Sequence, residues 1–266
     1  MLIDRALSTV KNAEARLING FRLVVDVADF DGRVLFLHGV SDRPVWDAVA
    51  AGLRPGDVFL DIGANYGEIG VLAADVVGAH GRVHLFEPQV VVCAAIRAGL
   101  SRHGSQTVEL HELGLLDRDG TLSFIVDPEH SGGGRFVDDD WSASEKPLPI
   151  KDIATYLPPL VSNRRFGAKV DVEGAEPILL PWLLDQPNLS FVVFEGMRHV
   201  EEIWQLVKNR GRVLHGLQRR ILGTDLMRIT GPEAMVGFRD YVVLPTAVAE
   251  ALPEKVSVDS LRSVSL

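Results

Sequence analysis

Strand and helix signals alternate from residue 57 onward, and that rhythm constrains the fold more than any other feature. Apolar runs at 57–62, 82–87 and 107–112 read as strands. Helix-period segments at 66–77 and 90–102 separate them. A strand at 168–172 then leads into a short helix from 175, and a strand at 190–195 into a helix at 199–209 closed by Gly211. Strands joined through helices run parallel, because each helix carries the chain back across the sheet. The expected class is α/β, a mostly parallel sheet with helices on both faces. RVLHGL at 212–217 and DYVVLP at 240–245 are expected to form an antiparallel edge.

The regions outside this rhythm read differently. Residues 2–18 have the spacing of an amphipathic helix, with Ile3, Leu7, Val10 and Leu17 on one stripe, a candidate for pairing across a homodimer. Residues 21–39 read as a β-hairpin around Asp31-Gly32. A helix at 43–53 starts with Asp42 as N-cap and Pro44 in its first turn. The expected division is an N-terminal helix and hairpin over 1–42, a main domain over 43–250, and a polar, frayed tail over 251–266. The insert DPEHSGGGRFVDDDWSASEKPLP at 127–149 is either a mobile lid over an acceptor site or a disordered surface loop, the two weighted equally.

Charge and composition remove several function classes. The net charge of −9 and the scarcity of basic clusters argue against nucleic acid as a partner. One cysteine, Cys93, allows no internal disulfide and no Cys-rich zinc motif, and reads as helix packing. No apolar run approaches the roughly 18 residues of a membrane span, and the N-terminus has no signal-peptide core. The expectation is a cytoplasmic protein acting on a small molecule.

The chemistry is concentrated where strands end. FLDIGANYGEIGVLAA at 59–74 runs from a strand through Gly-x-Asn-x-Gly into a helix. In open α/β sheets, ligands bind at the carboxyl ends of the strands, and the first such turn gathers backbone N–H groups. Gly63 and Gly67 permit a tight turn, and Asn65 is a residue type that tolerates a left-handed backbone. Asp61 at the strand end suits a ligand carrying a cation and would repel a phosphate. A turn binding nothing is the plain alternative. Glu87 closes the second strand, where a carboxylate accepts hydrogen bonds from ribose hydroxyls.

FLDIGANYG at 59–67, FEP at 86–88 and KVDVEGAE at 169–176 occur in that order and together resemble the FkbM-type S-adenosylmethionine-dependent methyltransferases, over roughly residues 43–200. The resemblance implies a Rossmann-like class I methyltransferase fold with a mostly parallel seven-stranded sheet, S-adenosylmethionine as cofactor, and O-methylation of a sugar or natural-product hydroxyl. It places Asp61, Gly63, Asn65 and Gly67 on the cofactor loop and Glu87 on the ribose. GLLDRDG at 114–120 is similar to the family's segment beside the adenine, which brings in Leu113 and Gly114. The chain departs from the family pattern at Gly99 and His103, where asparagines are usual, and at Trp182, where glycine is usual. Pro181 is expected to interrupt its helix after about one turn.

Candidates on the acceptor side cluster after the strand at 168–172. Asp171 and Glu173 are the candidate catalytic carboxylates, as base or metal ligands, and Glu176 reads as a helix cap. Glu195 either joins Asp171 around a hard cation such as Mg²⁺ or is structural. His130 and His199 are weaker candidates for a base, and Asp138, Asp139 and Asp140 read as a solvated charge run. Two rival functions remain. A nicotinamide-dependent oxidoreductase is disfavoured by Asn65 in place of a glycine and by Asp61, and a cofactor-binding protein without catalysis is disfavoured mildly by Asp171.

Overall fold

A computed structural model describes residues 12–103, 106–126, 130–137, 147–196 and 199–264. The chain opens with β1 (Ala13–Arg16) and β2 (Arg22–Val25), an antiparallel pair that stands apart from the main sheet. The main sheet takes β3 (Val58–Ile62), β4 (Arg82–Phe86) and β5 (Val108–His111) from the first half of the chain. A second, four-stranded sheet is built from β6 (Gly114–Leu116), β7 (Gly120–Ile125), β8 (Arg135–Val137) and β9 (Pro147–Asp152). The chain then returns to the main sheet through β10 (Phe166–Val170), β11 (Leu189–Glu195), β12 (Arg212–Arg220), β13 (Gly223–Arg228), β14 (Asp240–Pro245) and β15 (Lys255–Ser257).

The order of the main sheet, β15-β13-β12-β14-β11-β10-β3-β4-β5, fixes where a ligand can bind. From β3 the chain builds outward through β4 to the β5 edge, then returns to build β10 and β11 on the other side of β3, all parallel. The direction of winding reverses between β3 and β10, so the loops leaving their carboxyl ends part and open a crevice. β3 and β10 are buried along their whole length.

Strand alternation divides the core in two. Phe59, Val83 and Leu85 face the helices Arg43–Gly52 and Glu68–Val77. Leu60, Ile62 and Phe86 face the helices Glu176–Asp185 and Val200–Asn209. Pro181 lies inside the first of these without ending it, contrary to the expected break. Losing one ladder donor is offset by Leu179, Leu180, Leu183 and Leu184, which are all buried against the sheet.

Several expected elements take other forms. Within the predicted helix at 2–18, residues 1–11 lie outside the described residues, and 13–16 form β1. Buried Ala15 and Leu17 alternate there with exposed Glu14 and Arg16, a period of two. The predicted hairpin at 21–39 is half right: β2 is a strand, but Asp31-Gly32 sits in a helix, Phe30–His38. Asp29 caps that helix by accepting from the Gly32 N–H at 2.8 Å, and Gly39, at φ 68°, ends it.

The main sheet has nine strands rather than seven, because β13 and β15 extend it. β14 pairs antiparallel with β12, but it lies inside the sheet, between β12 and β11. Its side chains from Asp240 to Leu244 are all buried, which an edge strand would not allow. The tail expected to fray is docked: β15 pairs with β13, and Leu252, Val258 and Leu261 are buried. Among the described residues no helix is long and apolar enough to cross a membrane.

Candidate active site

The turn after β3 is built from three left-handed residues, Gly63 at φ 76°, Asn65 at φ 46° and Gly67 at φ 77°. A Cβ on Gly63 would stand 1.8 Å from the Asp171 carbonyl oxygen, so glycine is what lets β3 and β10 end side by side. The Gly63 and Ala64 N–H groups both donate to the Phe86 carbonyl at 3.0 Å. Glu87 fastens the same turn, accepting from the Asn65 N–H at 2.8 Å on one oxygen and from the Gln89 N–H at 2.9 Å on the other. Burial outweighs these bonds and pushes the Glu87 carboxyl up to about 7.

Asp61 does not face the crevice. It shares a strand face with Phe59, pointing at the helix Glu68–Val77, where it accepts from the Gly70 N–H at 2.8 Å. The cation it meets belongs to the chain itself: Lys169, its register partner on β10, places Nζ 3.4 Å from the Asp61 carboxylate. Burial still raises the Asp61 carboxyl above its usual range. Lys169 also donates to the Gly63 carbonyl at 2.7 Å and lies 3.6 Å from Asp171. Sequence reasoning passed over Lys169, although a lysine inside an apolar strand, FGAKV, is a signal that it has a buried partner.

Beside the turn lies a cavity of about 410 Å³. Gly63, Asn65, Glu87 and Gly114 line one part of it, and Asp171, Glu173 and Glu195 another. Besides Asp61, two more predicted cofactor residues stand back from it. Gly67 starts the helix Glu68–Val77, and Leu113 packs into the core on the Leu179 side of the sheet.

On the acceptor side, oxygens of Asp171, Glu173 and Glu195 lie within 4.8 Å of one another. Glu195 is pushed up to about 8, by burial first and then by the charges of Asp171, Glu173 and Asp240. With Asp171 and Glu173 this close, a further negative charge on Glu195 is disfavoured. Arg239, on the same wall, lies 3.9 Å from Glu195 and 3.0 Å from Asp240. Deeper in, the Ser41 N–H and hydroxyl donate to buried Glu68 at 2.6 and 2.5 Å.

The remaining candidates take structural places. Glu176 accepts from the Val172 N–H at 3.1 Å, a helix-start role. Cys93 is buried, its thiol bonded to the Glu87 carbonyl at 3.0 Å and pushed up to about 12 by burial and by Glu87. His199 starts a helix beside Glu202, away from the cavity lining. His130 lines the cavity and pairs with Asp31 at 3.3 Å.

The described part of the insert is fastened down. Residues 131–133 form one 3₁₀ turn. The Ser131 N–H donates to Asp29 at 2.6 Å, its hydroxyl to the Asn65 side-chain oxygen at 2.9 Å, and the Gly132 N–H to Asp31 at 2.7 Å. Ser131 thus ties the 3₁₀ turn to the cofactor-side turn at Asn65, and Gly132 ties it to Asp31. Asp138, Asp139, Asp140 and Trp141 lie outside the described residues.

An α/β sheet with this reversal, and one cavity joining the Gly-x-Asn-x-Gly turn to a carboxylate pair, define a Rossmann-like class I methyltransferase. No protein-family model matches the chain. Over 196 residues it is 30% identical to the 31-O-demethyl-FK506 methyltransferase FkbM of Streptomyces tacrolimicus, an alignment spanning 62% of this chain and 71% of that one. The chain belongs to the FkbM-type family of S-adenosylmethionine-dependent methyltransferases. Among solved structures, methyltransferase FkbM from Methylobacillus flagellatus superposes with a TM-score of 0.44 at 13% identity, over 91% of this chain and 57% of that one. The O-methyltransferase TomG from Streptomyces achromogenes, solved with S-adenosylmethionine, gives 0.43 at 14% identity, over 78% and 82%.

Proposed function

We propose that this chain methylates a hydroxyl oxygen of a small molecule, and that the cavity beside β3, β4, β10 and β11 receives both cofactor and acceptor. The observation that carries this reading is the continuity of that cavity from buried Glu87 to the Asp171–Glu195 pair.

The residues suit the cofactor. Each Glu87 oxygen accepts one backbone N–H, and a carboxylate oxygen has a second lone pair, which is left for a ribose hydroxyl. Phe86 and Leu115 give an apolar wall beside Gly114 for a flat base. S-adenosylmethionine supplies a methyl group on a sulfonium, a carbon open to in-line displacement. The chain's own work is to hold the acceptor oxygen in line and to take its proton. Glu195, its carboxyl raised to about 8, serves as the base, and Asp171 is the neighbouring charge that helps to raise it. Lys169 and Arg239 are the cations facing these carboxylates, so the reading assigns no role to an added Mg²⁺.

The test is incubation of the full chain with S-adenosylmethionine and a panel of hydroxylated sugars and natural products, with and without a chelator. The reading expects a product heavier by one methylene, its methyl on oxygen by NMR, and the same turnover in chelator. A methyl on nitrogen or carbon overturns the acceptor class. Turnover lost to chelator and restored by Mg²⁺ overturns the metal-free role of Glu195 as the base.

A further inference from the structure

Two buried histidines outside the cavity face one another at the edge of the main sheet. β5 is the edge strand, and in its register with β4, His84 lies opposite Glu109 and Phe86 opposite His111. Alternate residues share a face, so His84, Glu109 and His111 project to the same side. His84 Nδ1 lies 3.0 Å from His111 Nε2. Glu109 approaches both, at 3.6 Å from His84 Nδ1 and 3.9 Å from His111 Nε2.

We propose that His84, Glu109 and His111 form a Zn²⁺ site that clamps β5 to β4. The two facing nitrogens lie 3.0 Å apart, and Glu109 reaches them with its two oxygens, Oε2 at 3.6 Å from His84 and Oε1 at 3.9 Å from His111. Ligands about 2.0–2.1 Å from a tetrahedral zinc lie about 3.3 Å apart, and one donor atom from each of the three residues already lies within 4.8 Å of the others, so the exposed Glu109 side chain has only to turn inward to close on an ion. Two imidazoles and one carboxylate match Zn²⁺ in donor type and would hold Mg²⁺ poorly.

The surroundings fit a ligand role. His111 Nδ1 lies 3.1 Å from the Tyr156 hydroxyl. With Nδ1–H donating there, the Nε2 lone pair points at His84, the arrangement an outer hydrogen bond imposes on a metal-bound histidine. Without an ion, one proton must sit between His84 Nδ1 and His111 Nε2. Zn²⁺ would be held with His84 carrying its ring proton on Nε2 instead of Nδ1, which frees both facing nitrogens as ligands with no net loss of a proton. The Glu109 side chain is 63% exposed, which opens the fourth position to water. Arg82 and Arg164 are the positive neighbours of His84, and Glu109 offsets them. Arg164 is also turned to the Gly56 and His80 carbonyls.

The clamp would brace the wall of the cavity. The His111 ring stacks on Phe86 at 4.6 Å and 13°, and its carbonyl accepts from the Glu87 N–H at 3.1 Å. Phe86 and Glu87 both line the cavity. The proposal stands whether or not the acceptor is a hydroxyl.

Calorimetric titration of the chelator-treated full chain with Zn²⁺ tests it, with Co²⁺ as a visible-absorption probe of tetrahedral geometry. The expected result is one Zn²⁺ per chain, a rise in unfolding temperature with Zn²⁺ and none with Mg²⁺. Glu109→Gln and Tyr156→Phe each weaken Zn²⁺ by about tenfold or more. Glu109 is exposed, so its variant keeps the metal-free unfolding temperature of the parent. No bound Zn²⁺, or equal affinity in the parent and Glu109→Gln, overturns the site and assigns any bound ion to surface histidines.

Discussion

Lys169 and Asp61 are register partners on β10 and β3, buried, with Nζ 3.4 Å from the carboxylate. This pair sits directly beneath the Gly63–Gly67 turn, and Lys169 also donates to the Gly63 carbonyl at 2.7 Å. Removing one member leaves the other charged and buried. Lys169→Met is therefore expected to destabilise the fold by about 3–5 kcal/mol in denaturant unfolding. The double variant Lys169→Met/Asp61→Leu should recover part of that loss, because it buries no lone charge. Additive losses would show that the two residues act independently.

Glu87 carries a second prediction. It is placed to do two jobs: to fix the turn through the Asn65 and Gln89 N–H groups, and to receive the ribose. Glu87→Ala should weaken S-adenosylmethionine by tenfold or more in calorimetry, since hydrogen bonds to a charged group are worth about 1.5–3 kcal/mol each. Unchanged affinity would remove Glu87 from the cofactor site.

How far the sequence reaches can be seen from neighbouring residues in this turn. Gly63 and Asn65 were legible because a left-handed backbone narrows the residue types that fit. Glu87 was legible from its place at a strand end. Asp61 was misread because its position was considered without its direction: residues 59 and 61 share a face, and Phe59 faces a helix. Lys169 went unseen because its partner is set by strand register, which local pattern does not specify. The same limit explains the N-terminal region. RLVV was a fair strand signal, but its partner is Ala13–Arg16, and Asp29 with Gly39 makes a helix of the predicted second strand. The glycines of the insert looked free because the aspartates that hold them lie about a hundred residues earlier, as between Ser131 and Asp29.

Those aspartates yield a third prediction. Asp31 accepts from the Gly132 N–H at 2.7 Å and pairs with His130 at 3.3 Å, and the Asn65 amide donates to it at 3.1 Å. Asp31→Ala removes all three ties without disturbing the Asp29 cap. Limited proteolysis should then cut around residues 130–134 faster than in the parent, and cofactor affinity should fall, because the Asn65 amide N–H loses its acceptor and Asn65 keeps only the Ser131 hydroxyl. A parental cleavage rate with parental affinity would show that Asp29, together with the Gln89 side chain that donates to the Ser131 carbonyl at 2.9 Å, holds the turn alone.

The pH dependence of turnover follows from Glu195. Its carboxyl is raised to about 8 by burial and by neighbouring carboxylates, so below that pH it holds its proton and cannot accept one from a hydroxyl. The rate at saturating cofactor and acceptor should rise as pH increases through about 8. Asp171→Asn removes one of the charges that raise Glu195. The limb should therefore move to lower pH while the plateau rate falls, with S-adenosylmethionine affinity close to that of the parent. Glu195→Gln should abolish the limb and leave a slow, flat profile. A limb that stays in place in Glu195→Gln would mean that another group, or the acceptor itself, is what titrates.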